Sequence, residues 1–350
     1  MYNGNWSIQY ITNWDEIHSQ SFQDTWLEYL NTAVNSHVFF HPALCMAWLD
    51  TYRLLRNLTP LFCIAQKDDL RIFLPLVLWK QNWKNAFRKI VVPVGYSDFD
   101  YHDPLVNCTL SENEWANFYK LLASAIKSKL HYDAMEINGI RSEVNSKDWC
   151  KENAIAPFCD LTQFTDSDSF LHSLKTSLRG DIRRQIRRTG ELGPLILYRY
   201  KTVEEALNIL PQFLKLHTDR WPSAYKANGF HKNLIMYGLE SGIVHFTSLN
   251  SGEKRLSFHL GFMYNRSYFY YMPVIDPEYK NLSPGKVHLF KLVGSAIADG
   301  INVFDHLRGD ENYKEGWTNS IQPLYGFSYQ NTSFNSKARN WLCIIKEKLF

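Results

Sequence analysis

The chain has 350 residues, with 38 lysines and arginines against 35 aspartates and glutamates, and a formal net charge of +3. This length exceeds what one hydrophobic core usually supports, so it predicts two domains. The small net charge argues against a general DNA or RNA binder, and 45% hydrophobic residues exclude a disordered chain. No apolar run approaches the roughly 18 residues of a membrane helix, and residues 1–14 lack the features of a signal peptide. We therefore expect a globular, cytoplasmic protein without a membrane span.

The cysteines are scattered and form no C-x-x-C pair, and no histidine lies near them at the spacing of metal ligands. This pattern predicts ordinary reduced thiols, with neither a bound metal nor a disulfide framework. The six positions are Cys45, Cys63, Cys108, Cys150, Cys159 and Cys343.

The first half of the chain predicts a mixture of helices and strands. Its predicted helices are 22–34, 42–55 and 112–129, and its predicted strands are 61–65, 72–79, 90–94 and 134–138. Serine and aspartate then cluster between about 155 and 170, where Ser167 or Asp168 could cap the next helix. This break predicts two domains, 1–160 and 161–350.

The stretch "SDFDYHDP" concentrates polar residues between a predicted strand and a predicted helix. Asp98, Asp100, His102 and Asp103 alternate there with aromatic residues and precede a proline. The alternation superficially resembles a carboxylate metal site, but no distant ligand accompanies it. We interpret the stretch as a polar turn, with acceptor binding by Asp98 as the functional alternative.

The second half repeats the alternation of helices and strands. Its predicted helices are 169–190, 203–220, 230–240 and 285–299, and its predicted strands are 195–200, 243–249, 255–263, 267–273 and 301–305. The last strand, helix and strand favour parallel neighbours, whose ligands gather beyond the carboxyl ends of the strands.

The first of these helices carries a dense set of arginines. Arg179, Arg183 and Arg187 are spaced by four and share one face. A solvated helix face explains such a pattern, and so does a phosphorylated substrate such as a nucleotide sugar or lipid-linked sugar, or RNA. Arg183 and Arg187 are the candidate substrate contacts.

The helix near 285 begins with Ser283, Pro284 and Gly285, followed by Lys286. A cap residue and a proline in the first turn would leave the first amides free. Free amides at a helix N-terminus bind phosphate or pyrophosphate, and a lysine adds positive charge. The triplet also occurs where a helix simply starts.

The stretch "NVFDHLRGDENYKEGWTN" crowds ionisable groups after a buried strand. Asp305 is the candidate base, with a structural ion pair to Arg308 as the alternative. Arg308 and Lys314 can bind a phosphate or carboxylate. Tyr313 can donate a proton, or can pack with Trp317 as a lid.

His217, in "LKLHTDRW", precedes Arg220 and Trp221 near a predicted helix end. It is a candidate base or acceptor contact, with Arg220 and Trp221 beside it as candidate substrate contacts. The alternative is a structural histidine that complements the helix C-terminus.

The runs "DPEYKNLSPGKVHL", "AIADGINVFDHLRGDENYKEGWTN", "LHTDRW", "SLRGDIRRQIRRTGELGPL" and "GYSDFDYHDPLV" together resemble a known family, and the candidate site role of His217 depends on this match. The chain resembles GNAT-superfamily acyltransferases related to bacterial cellulose-biosynthesis acetyltransferases, and more distantly Fem-type peptidoglycan bridge transferases. The resemblance implies mixed α/β folding in two tandem GNAT-like domains, the first degenerate and on the acceptor side. It departs from ordinary GNAT enzymes in lacking the R/Q-x-x-G-x-G/A pyrophosphate loop.

The function implied is transfer of an acyl group from acetyl-CoA or another acyl-CoA to a sugar or sugar nucleotide of surface-polysaccharide biosynthesis. Such chemistry needs a base, an oxyanion donor and an acid for the leaving thiolate, and no metal. Two alternatives stay open. One is a Fem-type transferase that uses aminoacyl-tRNA, and the other is a non-catalytic carbohydrate-binding module.

Overall fold

The computed structural model describes residues 6–143, 150–222 and 227–349. The chain divides into two compact units, the first comprising Met1–Ala154 with Pro323–Phe350 and the second comprising Ile155–Gln322. The sequence predicted the domains 1–160 and 161–350, and so assigned Pro323–Phe350 to the second domain. The contacts of this segment join it to the first unit. The functional division into an acceptor domain and a catalytic domain stays a prediction.

The strands of the described chain, in order, are β1 (Ser7–Ile11), β2 (Leu58–Pro60), β3 (Phe62–Lys67), β4 (Leu70–Leu74), β5 (Leu76–Lys80), β6 (Lys89–Pro93), β7 (Leu105–Val106), β8 (Ala134–Ile140), β9 (Cys150–Asp160), β10 (Leu195–Arg199), β11 (Val244–Ser251), β12 (Lys254–Tyr264), β13 (Ser267–Ile275), β14 (Val303–Asp305) and β15 (Ser320–Gln330). The helices are α1 (Trp14–His18), α2 (Gln20–Thr32), α3 (Pro42–Leu55), α4 (Glu112–Lys129), α5 (Ser167–Ser173), α6 (Thr176–Gly190), α7 (Val203–Arg220), α8 (Phe230–Gly238), α9 (Pro284–Ala298), α10 (Asn312–Glu315) and α11 (Phe334–Leu349).

The first unit contains two sheets. Strands β1, β3, β4 and β7 form one antiparallel sheet, and β15, β8, β6, β5 and β2 lie side by side in that order. Within the second set, β6 and β8 are parallel, with Ile90 opposite Ala134 and Val91 opposite Met135. The unit therefore contains a strand, helix and parallel strand, namely β6, α4 and β8.

Helix α4 shows why local sequence predicts this element well. Ser111 accepts the N–H of Glu114, and the Glu114 carboxylate accepts the N–H of Ser111, which together form a capping box. The apolar residues that follow, including Trp115, Phe118 and Leu122, recur at helical spacing and are buried. The predicted helix 112–129 is confirmed.

The second unit orders its strands β10, β11, β12, β13, β14 and β9. All neighbours are antiparallel except β13 and β14, which are parallel and connected through α9. Helices α5, α6 and α9 contribute Phe170, Ile182 and Leu292 to a core that also contains Phe304. The predicted strand, helix and parallel strand near the end of the chain are confirmed.

Several predicted elements differ from the structure. The predicted helix 169–190 is two helices, α5 and α6, and Asp166 caps the first by accepting the Ser169 N–H, so neither Ser167 nor Asp168 is the cap. The predicted strand 72–79 is divided at Pro75, which has no N–H to continue a ladder. Strands β1, β9 and β15 and helix α11 were not predicted from the sequence.

Candidate active site

Strands β13 and β14 part soon after they meet. Their parallel pairing covers three residues of each strand and ends where Phe269 lies opposite Asp305. The next backbone N–H, that of His306, donates to Pro157 O on β9, 3.0 Å away, while β13 continues to Ile275. A stretch of β13 thus runs on past the end of its parallel partner. Ligands of open α/β sheets bind at such carboxyl ends.

Asp305 anchors the loop that follows β14. Its carboxylate Oδ1 accepts the backbone N–H of Leu307 at 2.7 Å, and the residue is only 9% exposed. Leu307 has a φ of 62°, a conformation that costs a bulky residue free energy. Strain of this kind persists only where surrounding contacts enforce it, and it concentrates at functional sites.

Lys314 holds the same loop from the other side. Its buried ammonium donates to the carbonyls of Leu307, Arg308 and Gly309 at 3.0–3.4 Å and lies 2.8 Å from Glu311 Oε2. These four acceptors occupy the three N–H donors of the ammonium. The structure therefore gives Lys314 a loop-holding position, and the catalytic role predicted for it stays a prediction.

His306 lies between these two anchors and was not singled out by sequence analysis. It is 1% exposed, and among the described residues neither ring nitrogen has a hydrogen-bond partner. Its ring centre lies 5.7 Å from Tyr270 and 6.4 Å from Tyr313. Burial, with the nearby charge of Lys314, lowers the pKa of His306 to about 3, so the imidazole is neutral.

A buried polar group without a partner costs free energy, of about 1–3 kcal/mol for each unmade hydrogen bond. Such groups are rare enough to require a reason, and catalysis is one. The signal in the sequence was a histidine at the carboxyl end of a buried strand, directly after Asp305. It was missed because its lack of partners is a tertiary property.

Tyr313 and Arg220 belong to the same neighbourhood. Tyr313 is 46% exposed, and desolvation together with Glu311 raises the pKa of its hydroxyl, while the charge of Arg220 opposes that rise. Burial raises the pKa of Tyr270, and the positive charge of Arg220 opposes that rise as well. The end of α7 therefore lies within electrostatic reach of the loop after β14.

The rings of His217 and Trp221 are in contact at this end of α7, with their planes inclined at 44°. Their ring centres are 4.9 Å apart, and the Arg220 guanidinium lies 4.5 Å from the Trp221 ring. The backbone N–H of Trp221 donates to His217 O, which caps the helix. The predicted group His217, Arg220 and Trp221 is thus a contiguous cluster, and through Arg220 it is near Tyr313.

Arg308 and Trp317, both predicted substrate contacts, have opposite surroundings. The Arg308 side chain is exposed, so it is available to an anion, and the structural ion pair with Asp305 stays an alternative. Trp317 is 4% exposed and packs on Phe170, with ring centres 6.2 Å apart. Burial in the core gives Trp317 a packing role, and the substrate contact predicted for it stays a prediction.

The start of α9 differs from the predicted phosphate site in two respects. Ser283 has a left-handed backbone and makes no side-chain cap, and its carbonyl accepts the Lys286 N–H at 3.0 Å. The Lys286 ammonium is bonded to Asp181 on α6. A Cβ at Gly285 would lie 3.0 Å from Ile275 Cγ2, so close packing on β13 also explains that glycine.

The arginines of α6 are divided between internal contacts and solvent. Arg179 donates to His172 O at 3.1 Å, and Arg184 is paired with Asp181. Arg183 and Arg187 are exposed, and the one side-chain contact of Arg183 within the described chain is to His172 Nε2, 3.4 Å away. These two guanidinium groups are accessible to a polyanion.

Asp98 lies in the first unit and is 4% exposed. Its carboxylate accepts the indole N–H of Trp48 at 2.8 Å and the hydroxyl of Tyr52 at 3.2 Å, and Arg56 lies 3.7 Å away. These contacts fix α3 against the polar turn. They give Asp98 a structural role, and acceptor binding by Asp98 stays a prediction.

The described residues contain no group of three histidine, cysteine or carboxylate side chains placed to hold a metal ion. The six cysteines are free thiols. Among the described helices, none is both long enough and apolar enough to cross a bilayer.

The family model of the GNAT acetyltransferase domain matches residues 176–315. Among solved structures, the chain is similar to FemX, with 11% identity, a TM-score of 0.63, and coverage of 96% of this chain and 100% of that one. No curated protein matched the sequence.

Two further structures share the fold. A conserved protein of unknown function from Bacteroides thetaiotaomicron VPI-5482 has 14% identity and a TM-score of 0.56, covering 93% of this chain and 100% of that one. A tandem GNAT protein from the clavulanic acid biosynthesis pathway, solved without AcCoA, has 8% identity and a TM-score of 0.52, covering 94% and 100%. The cellulose-biosynthesis resemblance has no counterpart among these findings. The chain thus has a mixed α/β, GNAT-like fold, its residues 176–315 match the GNAT acetyltransferase domain, and these findings support an acyltransferase.

Proposed function

We propose that the protein transfers an acyl group from acyl-CoA, acetyl-CoA in the simplest case, to an amine or hydroxyl of a carbohydrate. We place this reaction in the cytoplasm, on an intermediate of surface-polysaccharide assembly. The observation that carries the proposal is His306, a buried imidazole without partners among the described residues, beside the parting of β13 and β14. The second unit would be catalytic and the first a degenerate GNAT-like domain on the acceptor side.

In the proposed reaction, the acceptor nitrogen or oxygen attacks the thioester carbonyl carbon. A C–N or C–O bond forms, the C–S bond breaks, and the acceptor proton ends on the thiolate as CoA–SH. A neutral imidazole is a poor base at a pKa of about 3, but its N–H can donate to the carbonyl oxygen as negative charge develops there. We assign that donor role to His306.

Two other groups supply proton transfer in this proposal. Asp305 takes the proton of the acceptor through its carboxylate, one oxygen of which already fixes Leu307. Tyr313, which its raised hydroxyl pKa keeps protonated, gives its proton to the thiolate as the C–S bond breaks, and the proton held by Asp305 then restores the Tyr313 hydroxyl, so that the net transfer is from the acceptor to the thiolate. Arg308, exposed on the same loop, can bind an anionic group of the substrate.

Donor binding can be tested at the start of α9, where Lys286 is held by Asp181. If Lys286 contacts the CoA pyrophosphate, Lys286→Met should raise the Kd for acetyl-CoA about tenfold, because a charge-assisted contact is lost. The matched change Asp181→Asn should lower that Kd, because it releases the lysine. Calorimetric titration of the wild type and both variants measures this. Equal Kd values in all three would remove the phosphate role of Lys286, and no binding by the wild type would remove the CoA donor.

A Fem-type transferase that uses aminoacyl-tRNA is the second candidate. The exposed Arg183 and Arg187 favour it, because a tRNA backbone would neutralise both. Arg183→Gln with Arg187→Gln should then weaken tRNA binding. The slope of the logarithm of the binding constant against the logarithm of the salt concentration should become shallower by about 1–2. The same double variant should only raise the KM for a phosphorylated acceptor if a sugar phosphate binds there. Loss of activity on RNase treatment would favour the tRNA-dependent reaction.

A non-catalytic carbohydrate-binding module is the third class. It would have no use for a buried imidazole without partners beside a strained loop. Normal affinity for a carbohydrate, with no turnover of any thioester or aminoacyl donor, would favour it over both enzymes.

A further inference from the structure

Helix α11, in the first unit, has its polar side against the protein. Ser336 is buried and its hydroxyl donates to Asp133 Oδ1 at 2.7 Å, and Arg339 donates to Asp133 Oδ2 at 3.3 Å. Asn340 donates to Gln330 Oε1 at 2.8 Å. Surface helices usually bury an apolar stripe and expose polar residues. Over its first ten residues, α11 turns polar Ser336, Arg339 and Asn340 inward, and Cys343 is the one buried apolar residue among the ten.

The outward side of α11 is apolar and aromatic. Phe334 is 84% exposed, Trp341 63% and Leu342 46%, and Ala338 lies exposed between them at helical spacing. An isolated exposed apolar residue is ordinary, but a row on one helix face is not. Such a row marks a candidate interaction surface.

The loop between β5 and β6 packs against α11 and continues this surface. Trp83 is 63% exposed and Phe87 is 65% exposed. Ala86 and Phe87 have φ values of 52° and 53°. This left-handed backbone conformation is unfavourable for any residue that has a Cβ atom. An exposed aromatic ring held at the expense of backbone strain is a reason to look for a binding role.

The charged residues of the two segments that carry these rings are all basic. Residues 80–89 and 331–343 contain six lysines and arginines and no aspartate or glutamate. Arg88 and Arg339 are paired inside the unit with Glu136 and Asp133. Lys80, Lys84 and Lys337 are exposed to solvent. The surface thus combines tryptophan, phenylalanine and lysine.

We propose that this aromatic and basic surface binds an anionic membrane. We define it by the rings and side chains of Trp83, Phe87, Phe334, Trp341, Leu342, Lys80, Lys84 and Lys337. Tryptophan and phenylalanine insert at the boundary between headgroups and acyl chains, while lysines are attracted to anionic headgroups. A second copy of the chain is disfavoured, because a twofold interface would bring the same lysines face to face.

Vesicle flotation tests the proposal with the full chain. The wild type should float with vesicles that contain roughly one third phosphatidylglycerol, and should bind vesicles of phosphatidylcholine alone at least about tenfold more weakly. Trp83→Ser with Trp341→Ser should abolish flotation. Ile196→Ser with Met236→Ser, which changes residues 51% and 53% exposed in the second unit, is the matched control and should float normally.

A charge variant separates the two parts of the surface. Lys84→Glu with Lys337→Glu should lose at least about tenfold in binding to the anionic vesicles, because attraction becomes repulsion. Circular dichroism checks that all variants are folded. The proposal is overturned if the wild type does not bind anionic vesicles, or if the serine variant and its control bind equally. A dimer in light scattering that Trp341→Ser dissociates would assign the surface to contact between copies and also overturn it.

Discussion

Each unit contains a parallel pair of strands joined through a helix, and the two pairs end differently. In the first unit, β6 and β8 pair over two residues, and the polar turn then lies against β8. His102 donates its backbone N–H to Gly139 O at 3.1 Å, and its Nδ1 lies 2.7 Å from Asn138 O. A Cβ at Gly139 would overlap the Asp100 carbonyl. The chain itself occupies the edge of β8.

In the second unit, β13 and β14 part beside His306 and a loop held by Asp305 and Lys314. Both polar clusters looked alike in the sequence, because both concentrate carboxylates, a histidine and aromatic rings after a strand. In the first, Asp98 and Asp103 accept hydrogen bonds within the unit, and His102 has one buried ring nitrogen, Nε2, without a partner in the described chain. In the second, His306 keeps two buried ring nitrogens without partners in the described chain. Two ring nitrogens without partners, together with a place directly after the end of β14, distinguish His306 as the functional candidate.

Acid should affect both units, because both bury neutral histidines. Burial is the largest cause that lowers the pKa of His37, His245, His288 and His306 to about 3, and that of His41 and His102 to about 4. The unfolded chain, with pKa values near 6.5, binds protons that the folded chain does not, so stability falls as pH drops below about 6.5.

The expected loss is on the order of 1 kcal/mol per pH unit for each such histidine, until its folded pKa is reached. Urea unfolding at several pH values between 7 and 5 measures it, above the range where carboxylates titrate. A midpoint that does not change over this range would contradict neutral burial in both units.

Asp305→Asn should show the largest difference in activity between the loop after β14 and the polar turn of the first unit. The amide keeps an oxygen that can accept the Leu307 N–H, so the loop should stay in place, but basicity is lost. We expect kcat to fall about 10³-fold, with little change in Tm. The matched change Asp98→Asn, also at a buried carboxylate, should lower Tm and leave kcat of the folded protein unchanged. Near-normal turnover in Asp305→Asn would reduce Asp305 to a loop anchor and make His217 the next candidate base.

Asp103→Ala should have its effect on folding alone. Asp103 is 1% exposed and accepts two hydrogen bonds from Arg141, one from its backbone N–H at 2.6 Å and one from its guanidinium at 2.8 Å. Removing one partner of a buried ion pair leaves the other unpaired, so we expect about 3 kcal/mol less stability in urea unfolding. Activity should fall only with the folded fraction. A large loss of kcat in fully folded protein would show that the first unit takes part in catalysis.

His306→Leu tests the donor role with a side chain of suitable size for the core. If the imidazole N–H stabilises the oxyanion, kcat should fall about 10²-fold while stability stays equal or rises, because a buried polar group without partners is removed. His306→Gln, which can still donate, should retain part of the activity. Steady-state kinetics and thermal melts measure both variants. A marked loss of stability in His306→Leu, with kcat unchanged, would make His306 a structural residue.

The local sequence determined those helices that have both a capping side chain and an apolar face. Helices α4 and α7 were predicted with their observed bounds, because each has a side-chain cap and an apolar face at helical spacing. The parallel arrangement of β13 and β14 followed from a strand, crossover helix and strand. Strand β15 and helix α11 were missed. The exposed face of α11 is apolar and its inward face polar, so its pattern does not indicate which side is buried.

For the site, the sequence by itself placed Asp305, Arg308, Tyr313 and Lys314 at one carboxyl edge of a sheet, because residues that follow a buried strand must emerge there. Only the tertiary structure decided what each side chain does. Folding of the loop after β14 surrounds Lys314 with backbone carbonyls. Contacts between elements distant in sequence bury Trp317 against Phe170 and join Lys286 to Asp181. The tertiary structure also left His306 buried without partners among the described residues, since hydrogen-bond satisfaction depends on which groups the fold brings within about 3 Å.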